Sequence, residues 1–520
     1  MIILINVITL IDIIYSYWYM SNDKHIIRFI SLLLLFISSM LILVTNNNII
    51  IILLGWEGVG LMSYLLINYW YTSIDANKSS IKAMLYNRLG DIFYMLGIIL
   101  LIININSTNY NNLYSITGSG SSSLEWIILC FLLTSITKSA QYIFHGWLGT
   151  SMVASTSVSA LLHASTMIVG GIYLLCRLCE LIISSIIIKN IIIIIGSITI
   201  VFGGLVSITQ LDIKRIIAYS TCSQLGYMLL SLGLNNKNIS IYHLMTHAFY
   251  KALLFMLAGI IIHCCLNYQD IRKLGNLIFF LPINYIFIII SSLSLMSMPF
   301  FSGYYSKEAI INLNLINNNN FFENNLYFNI NTYILSIIGS FLTSIYSINL
   351  IKRVFFESQN TKYNIKEAPF WLYNILFILL IMSLILGYLT KDLFIGFGNH
   401  FNNDLEFLPY IYKLLPILIV IIGLFLIINF DIFKFYFNFK NSFFLFNKKL
   451  YTESIINNIF SKLLLLSYHI NINLDKGLFE KFGFIGFIQN TFKFKKFLYI
   501  NINFYIFLLI FINILLFILS

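Results

Sequence analysis

Three side chains able to hold a proton, Lys138, His145 and His163, stand in one stretch, KSAQYIFHGWLGTSMVASTSVSALLHASTMIVGGIY (138–173), that is otherwise apolar enough to lie in lipid. A charge at the bilayer centre costs about 2.5–3.5 kcal/mol on the insertion scale, and such residues usually line ion or proton paths. Taken singly, each has a plainer explanation: a lysine can snorkel to the headgroups, and a histidine can satisfy a carbonyl. The pattern recurs, however. His243, His247 and Lys251 are spaced i, i+4 and i+8, one stripe of a helix. Histidine titrates near neutral pH, so two histidines leading to a lysine suit a proton relay. Further along, Pro299 and Gly303 precede Lys307 and Glu308. Near the start, Glu57 stands among Gly55, Gly58 and Gly60, and Arg88 and Asp91 share a face at i and i+3.

The elements holding these residues must be membrane helices. Of 520 residues, 59% are hydrophobic and only 10% are charged, with mean hydropathy +0.88; soluble domains carry about 25% charged residues. Backbone exposed to lipid needs internal partners, which makes an all-α polytopic membrane protein the expected fold. Apolar windows of about 20 residues fall at 2–20, 27–45, 48–72, 81–105, 124–148, 158–180, 186–208, 209–234, 240–263, 279–316, 333–354, 370–390, 410–430 and 498–519, about fourteen spans. The first contains Asp12 and has no cleavage-like site after it, so it reads as a retained helix. Small hydroxylated residues from Gly146 to Ser159 read as a helix break, as does SMPFFSGYYSKEA (297–309). Residues 431–497 mix aromatic and aliphatic side chains with lysines, which suits an amphipathic segment on the membrane surface.

Two parts of the chain share an architecture. Glu57, Lys138 and His163 form one polar set; Asp212, His243, His247, Lys251, Lys307 and Glu308 form the other. Repeats with broken helices place ion sites at mid-membrane in transporters. Asp212, followed by Lys214 and Arg215, has a second reading as a charge cluster anchoring a helix end. The six cysteines lie in apolar segments without paired ligand spacing, which argues against a zinc or iron–sulfur site. No nucleotide fingerprint or flavin motif is present, and no basic-aromatic module points to nucleic acid. The +11 net charge suits loops and tails facing anionic lipid and partner subunits. Heavy use of Ile, Asn, Phe and Tyr with only five prolines looks like A+T-rich coding of an organelle genome.

WEGVGLMSYLLINYW (56–70), NRLGD (87–91), KSAQ (138–141), VSALLHASTM (158–167), DIKRIIAYSTCSQLGYM (212–228), HLMTHAFYKALLFMLAGIIIH (243–263) and FSGYYSKE (301–308) resemble the subunit 5 family of mitochondrial NADH:ubiquinone oxidoreductase, the antiporter-like, proton-translocating subunits of respiratory complex I. The resemblance implies two inverted five-helix repeats, each with one discontinuous helix. It also implies a lateral helix, placed at 431–497, and a terminal anchor at 498–520. The chain then divides into N-terminal helices (1–47), a first repeat region (48–208), a second (209–356) and C-terminal transmembrane helices (357–430).

By the same resemblance, Glu57 pairs with Lys138, His163 joins the two halves, His247 and Lys251 connect centrally, and Lys307 with Glu308 faces the outer exit. Arg88 and Asp91 sit near the first pair, Asp212 near the second half-channel, and His243, with His145, is supporting. The expected work is redox-driven proton movement in the mitochondrial inner membrane. NAD, flavin, Fe–S clusters and ubiquinone would be bound by other subunits, and this chain would hold no cofactor or metal. Expected partners are the neighbouring antiporter-like subunit 4, subunits along the lateral helix, and lipids. An opposite charge beside Lys138 favours its ionised form; moving that charge away leaves desolvation to expel the proton. The family usually has prolines where Ile143, Ser155 and Ser157 stand, and a glutamine or serine at His145. About fifty residues precede the Glu57 motif where the family typically has two more helices, so those are expected to be lost or supplied by a separate chain. Alternatives are a subunit of a sodium/proton antiporter and a transport-inactive structural subunit.

Overall fold

Small polar side chains start the apolar helices. Asn48 accepts the Ile50 amide, Ser73 that of Ala76 and Asn236 that of Ile239, filling donors that a helix start leaves orphaned. The structure, a computed structural model, describes residues 1–114, 122–319, 326–358, 367–395, 409–429, 440–500 and 502–519. Helices α1 (Ile2–Tyr19), α2 (Ile26–Thr45), α3 (Ile49–Ile67) and α4 (Ile74–Ile105) come first. Then follow α5 (Tyr110–Tyr114), α6 (Ser122–Lys138), α7 (Gly146–Thr150), α8 (Thr156–Ala164), α9 (Met167–Arg177) and α10 (Cys179–Ile183). The centre is built of α11 (Ile186–Thr209), α12 (Ile213–Gly233) and α13 (Lys237–Cys264). Beyond them lie α14 (Pro282–Met296), α15 (Ser302–Asn319), α16 (Leu326–Ile351), α17 (Phe370–Ile395), α18 (Tyr410–Asn429) and α19 (Lys440–Asn447). Among the described residues there is no strand, only isolated bridges Asn48–Asn109 and Asp212–Asp270.

Ten described helices are long and apolar enough to cross a membrane, against about fourteen expected spans. Two broken runs account for part of the difference. At seventeen residues, α6 is short because the chain breaks after it, and α14 and α15 are two halves of one interrupted run.

Both interruptions use left-handed backbone. In the first, residues 139–145 leave the helix with Ala140 at φ 51° and Ile143 at φ 83°, costly for a β-branched residue. The chain therefore leaves the helix before the expected Gly146–Ser159 run, without proline, and breaks again inside that run, where Ala154 and Ser155 take extended backbone between α7 and α8. Freed carbonyls find partners: Trp147 Nε1 donates to Thr137 O at 3.0 Å and Cys222 Sγ to Ala140 O at 3.3 Å. Broken backbone at membrane depth is tolerated where protein surrounds it. The second break runs through Pro299, with Ser297 at φ 62° and Phe300 at φ 73°. Here Gly303 passes so close to the Ser294 carbonyl that no Cβ fits.

At the centre, every residue of α12 from Ile216 to Gly233 and of α13 from Thr246 to Ile262 is buried. Polar groups within these two stretches thus face protein on all sides. A Cβ on Gly203 would stand 2.7 Å from the Ser223 amide nitrogen, so the small residue permits α11 and α12 to pack backbone to backbone.

On α1, Asp12 is fully buried and neither carboxyl oxygen meets a protein hydrogen-bond partner. Such a group costs about 1–3 kcal/mol. Asp12→Leu should recover that amount, read as a higher unfolding temperature of the purified protein; an unchanged temperature would mean the acid is compensated.

Tyr451–Ser520 form a second unit, holding α20 (Thr452–Ile470), a π-helical stretch Asn471–Phe479, α21 (Glu480–Phe482), α22 (Phe484–Ile500) and α23 (Ile502–Leu519). No residue of α20 is buried. Of the expected lateral segment, 431–439 lies outside the described residues; 452–500 is helical apart from Gly483.

Candidate functional site: a buried line of titratable side chains

The stripe expected on α13 forms as a geometric fact, and α8, α12 and α15 extend it. His163, His243, His247, Lys251 and Lys307 are each at most 1% exposed, as is Lys138. At one end His163 Nδ1 bonds with Thr221 Oγ1 at 3.1 Å. The neighbouring Ser220 Oγ accepts from Lys251 Nζ at 2.5 Å, and Ile217 O accepts from it at 3.4 Å. One turn along α13, the ring of His247 lies 5.4 Å from that of Tyr250 and 6.3 Å from that of His243. His243 Nδ1 bonds with Ser306 Oγ at 2.9 Å and its Nε2 with Gln224 Oε1 at 3.1 Å. Next to Ser306, Lys307 Nζ donates to Thr343 Oγ1 at 3.0 Å and lies 5.2 Å from the Tyr227 ring centre.

His247 is the distinctive member. Neither ring nitrogen has a protein hydrogen-bond partner, and His163 Nε2 has none either. A buried polar atom without a partner is destabilising, so three such nitrogens along one line are a feature that packing alone would remove.

The first set is arranged differently from the expected Glu57–Lys138 pair. Lys138, the last residue of α6, donates to Trp56 O at 2.6 Å and sits 3.9 Å from the Trp56 ring centre, a cation–π contact. Glu57, half exposed, instead faces Arg88 at 3.7 Å, and Arg88 also reaches Asp91 at 3.6 Å. Neighbouring positions on α3 explain this: Trp56 turns inward toward α6, whereas Glu57 points along the surface toward α4. Among the described residues no direct hydrogen bond links Lys138 to His163. The broken segment 139–145 lies between them, held to α12 through Cys222.

Two other expected members fall off the line. Asp212 pairs with Arg215 at 3.0 Å at the start of α12, the helix-end anchor that was the second reading of that cluster. Glu308 is half-buried on α15, and the cations acting on it are Lys413 and Lys391 rather than its neighbour Lys307. His145 is buried, its ring 4.4 Å from that of Phe202. Its neighbours are aromatic: the Tyr219 ring lies 6.2 Å away.

Sequence reasoning missed the hydroxyl and amide connectors Ser220, Thr221, Gln224, Ser306 and Thr343. The run STCSQ (220–224) was the available signal, being polar in a fully buried helix. Thr221→Val keeps the shape and deletes the hydroxyl on His163. Losing one net hydrogen bond of about 1 kcal/mol should slow proton transfer about fivefold in reconstituted vesicles, with assembly unchanged. An unaltered rate would remove Thr221 from the line.

A family profile described as NADH:quinone oxidoreductase/Mrp antiporter, transmembrane, matches residues 46–324. NADH-ubiquinone oxidoreductase chain 5 of Acanthamoeba castellanii is 38% identical over 94% of this chain and 77% of its own length. The chain 5 proteins of Podospora anserina (37%, 95% and 80%) and Phytophthora infestans (37%, 93% and 77%) are similarly related. Among solved structures, a chain of the Mrp complex from Dietzia sp. superposes with TM-score 0.74 at 22% identity, covering 89% of this chain; this chain spans about half of that one, 52%.

Proposed function

The chain belongs to the NADH-ubiquinone oxidoreductase chain 5 family, within the NADH:quinone oxidoreductase/Mrp antiporter group, and on that premise we propose that it moves protons across the bilayer as a membrane-arm subunit of an NADH-oxidising complex. The observation that carries the reading is the run of wholly buried titratable groups, His163, Lys251, His247, His243 and Lys307, bridged by hydroxyls from neighbouring helices.

Redox chemistry belongs to other subunits, which hold NAD, flavin, Fe–S clusters and ubiquinone. This chain supplies the path. A proton taken up near Lys138 is stabilised there by Asp91 and Glu57. A change of charge at the half-exposed Glu57–Arg88–Asp91 cluster weakens that hold, because a buried cation without a counter-charge is costly. The cluster therefore suits an electrostatic signal from a neighbouring antiporter-like subunit. The proton then passes the broken segment to His163 and onward to Lys307. The lysine-rich 431–497 segment is the lateral element laid against other membrane subunits, and the protein resides in the mitochondrial inner membrane.

The shared fold with the Mrp chain favours one second reading, sodium/proton exchange. The complex containing this chain, in sealed vesicles with a pH-sensitive dye, distinguishes the two. NADH-driven acidification is expected to be the same in sodium-free and sodium-containing buffer. Acidification that requires sodium would replace the proposal with the exchange reading.

A further inference from the structure

Where α1 stops, α2 starts and α3 turns into α4, a cavity of about 650 Å³ opens at one end of the bundle. Four basic side chains line it: Lys24 and His25 before α2, Lys214 in the first turn of α12, and His263 near the end of α13. The amides of Asn22, Asn267 and Gln269 add polar contacts, and Tyr19, Trp70, Val153 and Ile262 supply apolar wall.

The charge balance favours an anion. Asp23, the acid in the wall, is engaged through Oδ1 by the His25 backbone amide at 3.1 Å. Two further acids nearby are each held by an arginine: Asp212 by Arg215 at 3.0 Å and Asp270 by Arg272 at 2.6 Å. Hydrogen bonding from Arg272 keeps the Asp270 carboxyl below the usual carboxylate range. Lys24 and Lys214 therefore outweigh Asp23. Lys214 is 2% exposed and donates once, to Ala154 O at 2.9 Å; an ammonium has three donors, so two are left. The rim is also built rather than incidental. Leu266 and Asn267 take left-handed backbone at φ 52° and 64°, and Gln269 O accepts the Ile213 amide at 3.0 Å, tying the loop to the start of α12.

Position selects the kind of anion. The cavity lies level with the helix ends, the depth of lipid headgroups. Lys24, Arg28, Lys214, Arg215, Arg272 and Lys273 cluster at this end, whereas the other carries fewer, Arg177, Lys189 and Lys237, of which Lys237 is paired with Glu180. Lysines and arginines at this depth are attracted to an anionic leaflet. We propose that this cavity binds the phosphate of an anionic phospholipid, with Lys24 and Lys214 on the phosphate and Tyr19 and Trp70 against the glycerol and upper acyl chain. The bound phosphate offsets the buried charge of Lys214 and so braces the 151–156 link that leads into α8 and His163.

The test places the intact complex in phosphatidylcholine vesicles containing a minor fraction of photoactivatable phosphatidylglycerol and maps the adducts by mass spectrometry. Adducts are expected on residues 19–25 and 262–269, reduced severalfold by Lys24→Glu and restored by Lys24→Arg. Lys24 is exposed, so neither change threatens folding. Unlabelled phosphatidylglycerol should compete and inorganic phosphate should not. Adducts spread evenly over all helix ends, or unaffected by Lys24→Glu, would overturn the site; equal competition by inorganic phosphate would overturn the lipid as its occupant.

Discussion

Lys307→Ala should abolish proton release through this subunit while leaving electron transfer from NADH to an artificial acceptor intact. Lys307 is 1% exposed and its amine meets Thr343 Oγ1 and the face of Tyr227, and among the described residues no other lysine makes those two contacts. It also stands next to Ser306, the hydroxyl that receives His243. Removing a positioned proton-transfer group costs about 10²–10⁴ in rate, which in vesicles means no measurable acidification by this route. The break before α15 does not depend on the lysine, because Pro299 and the close pass of Gly303 set it. Assembly should therefore survive, and normal acidification in the variant would remove Lys307 from the path.

His247→Leu should separate function from stability in opposite directions. The ring is fully buried and both nitrogens lack protein partners, so an apolar side chain of similar volume removes a penalty of about 1–3 kcal/mol. The unfolding temperature is expected to rise. Transfer between Lys251 and His243 loses its intermediate, and pumping should fall about 10²-fold or more. A variant that is both less stable and less active would point to a structural role instead. One that pumps normally would show that the proton passes elsewhere.

Legibility followed periodicity. The stripe His243, His247, Lys251 was readable because 3.6 residues per turn puts i, i+4 and i+8 on one face, and the structure buries that face. Pro299 announced the second break by its missing donor. The expected break within Gly146–Ser159 forms at Ala154 and Ser155, but no proline or glycine marks the one before it at 139–145; Ala140 and Ile143 adopt left-handed backbone there under tertiary constraint from Trp147 and Cys222. Which of two adjacent residues turns inward is likewise a packing outcome. Trp56 rather than Glu57 meets Lys138, and the motif alone does not distinguish them. Hydroxyl connectors such as Thr221 and Ser306 were hard to single out for a further reason: serine and threonine are common in membrane helices, where they bond their own backbone, and beyond the hint of the STCSQ run only the fold shows which ones face a histidine.

The claim beneath both variants is that these groups form one hydrated proton path. A map of the whole complex that resolves ordered water tests it most directly. Water is predicted at both ring nitrogens of His247 and at His163 Nε2, bridging toward Lys251 and His243. Dry apolar contact around those nitrogens, with no water between Lys251 and Lys307, would contradict the account.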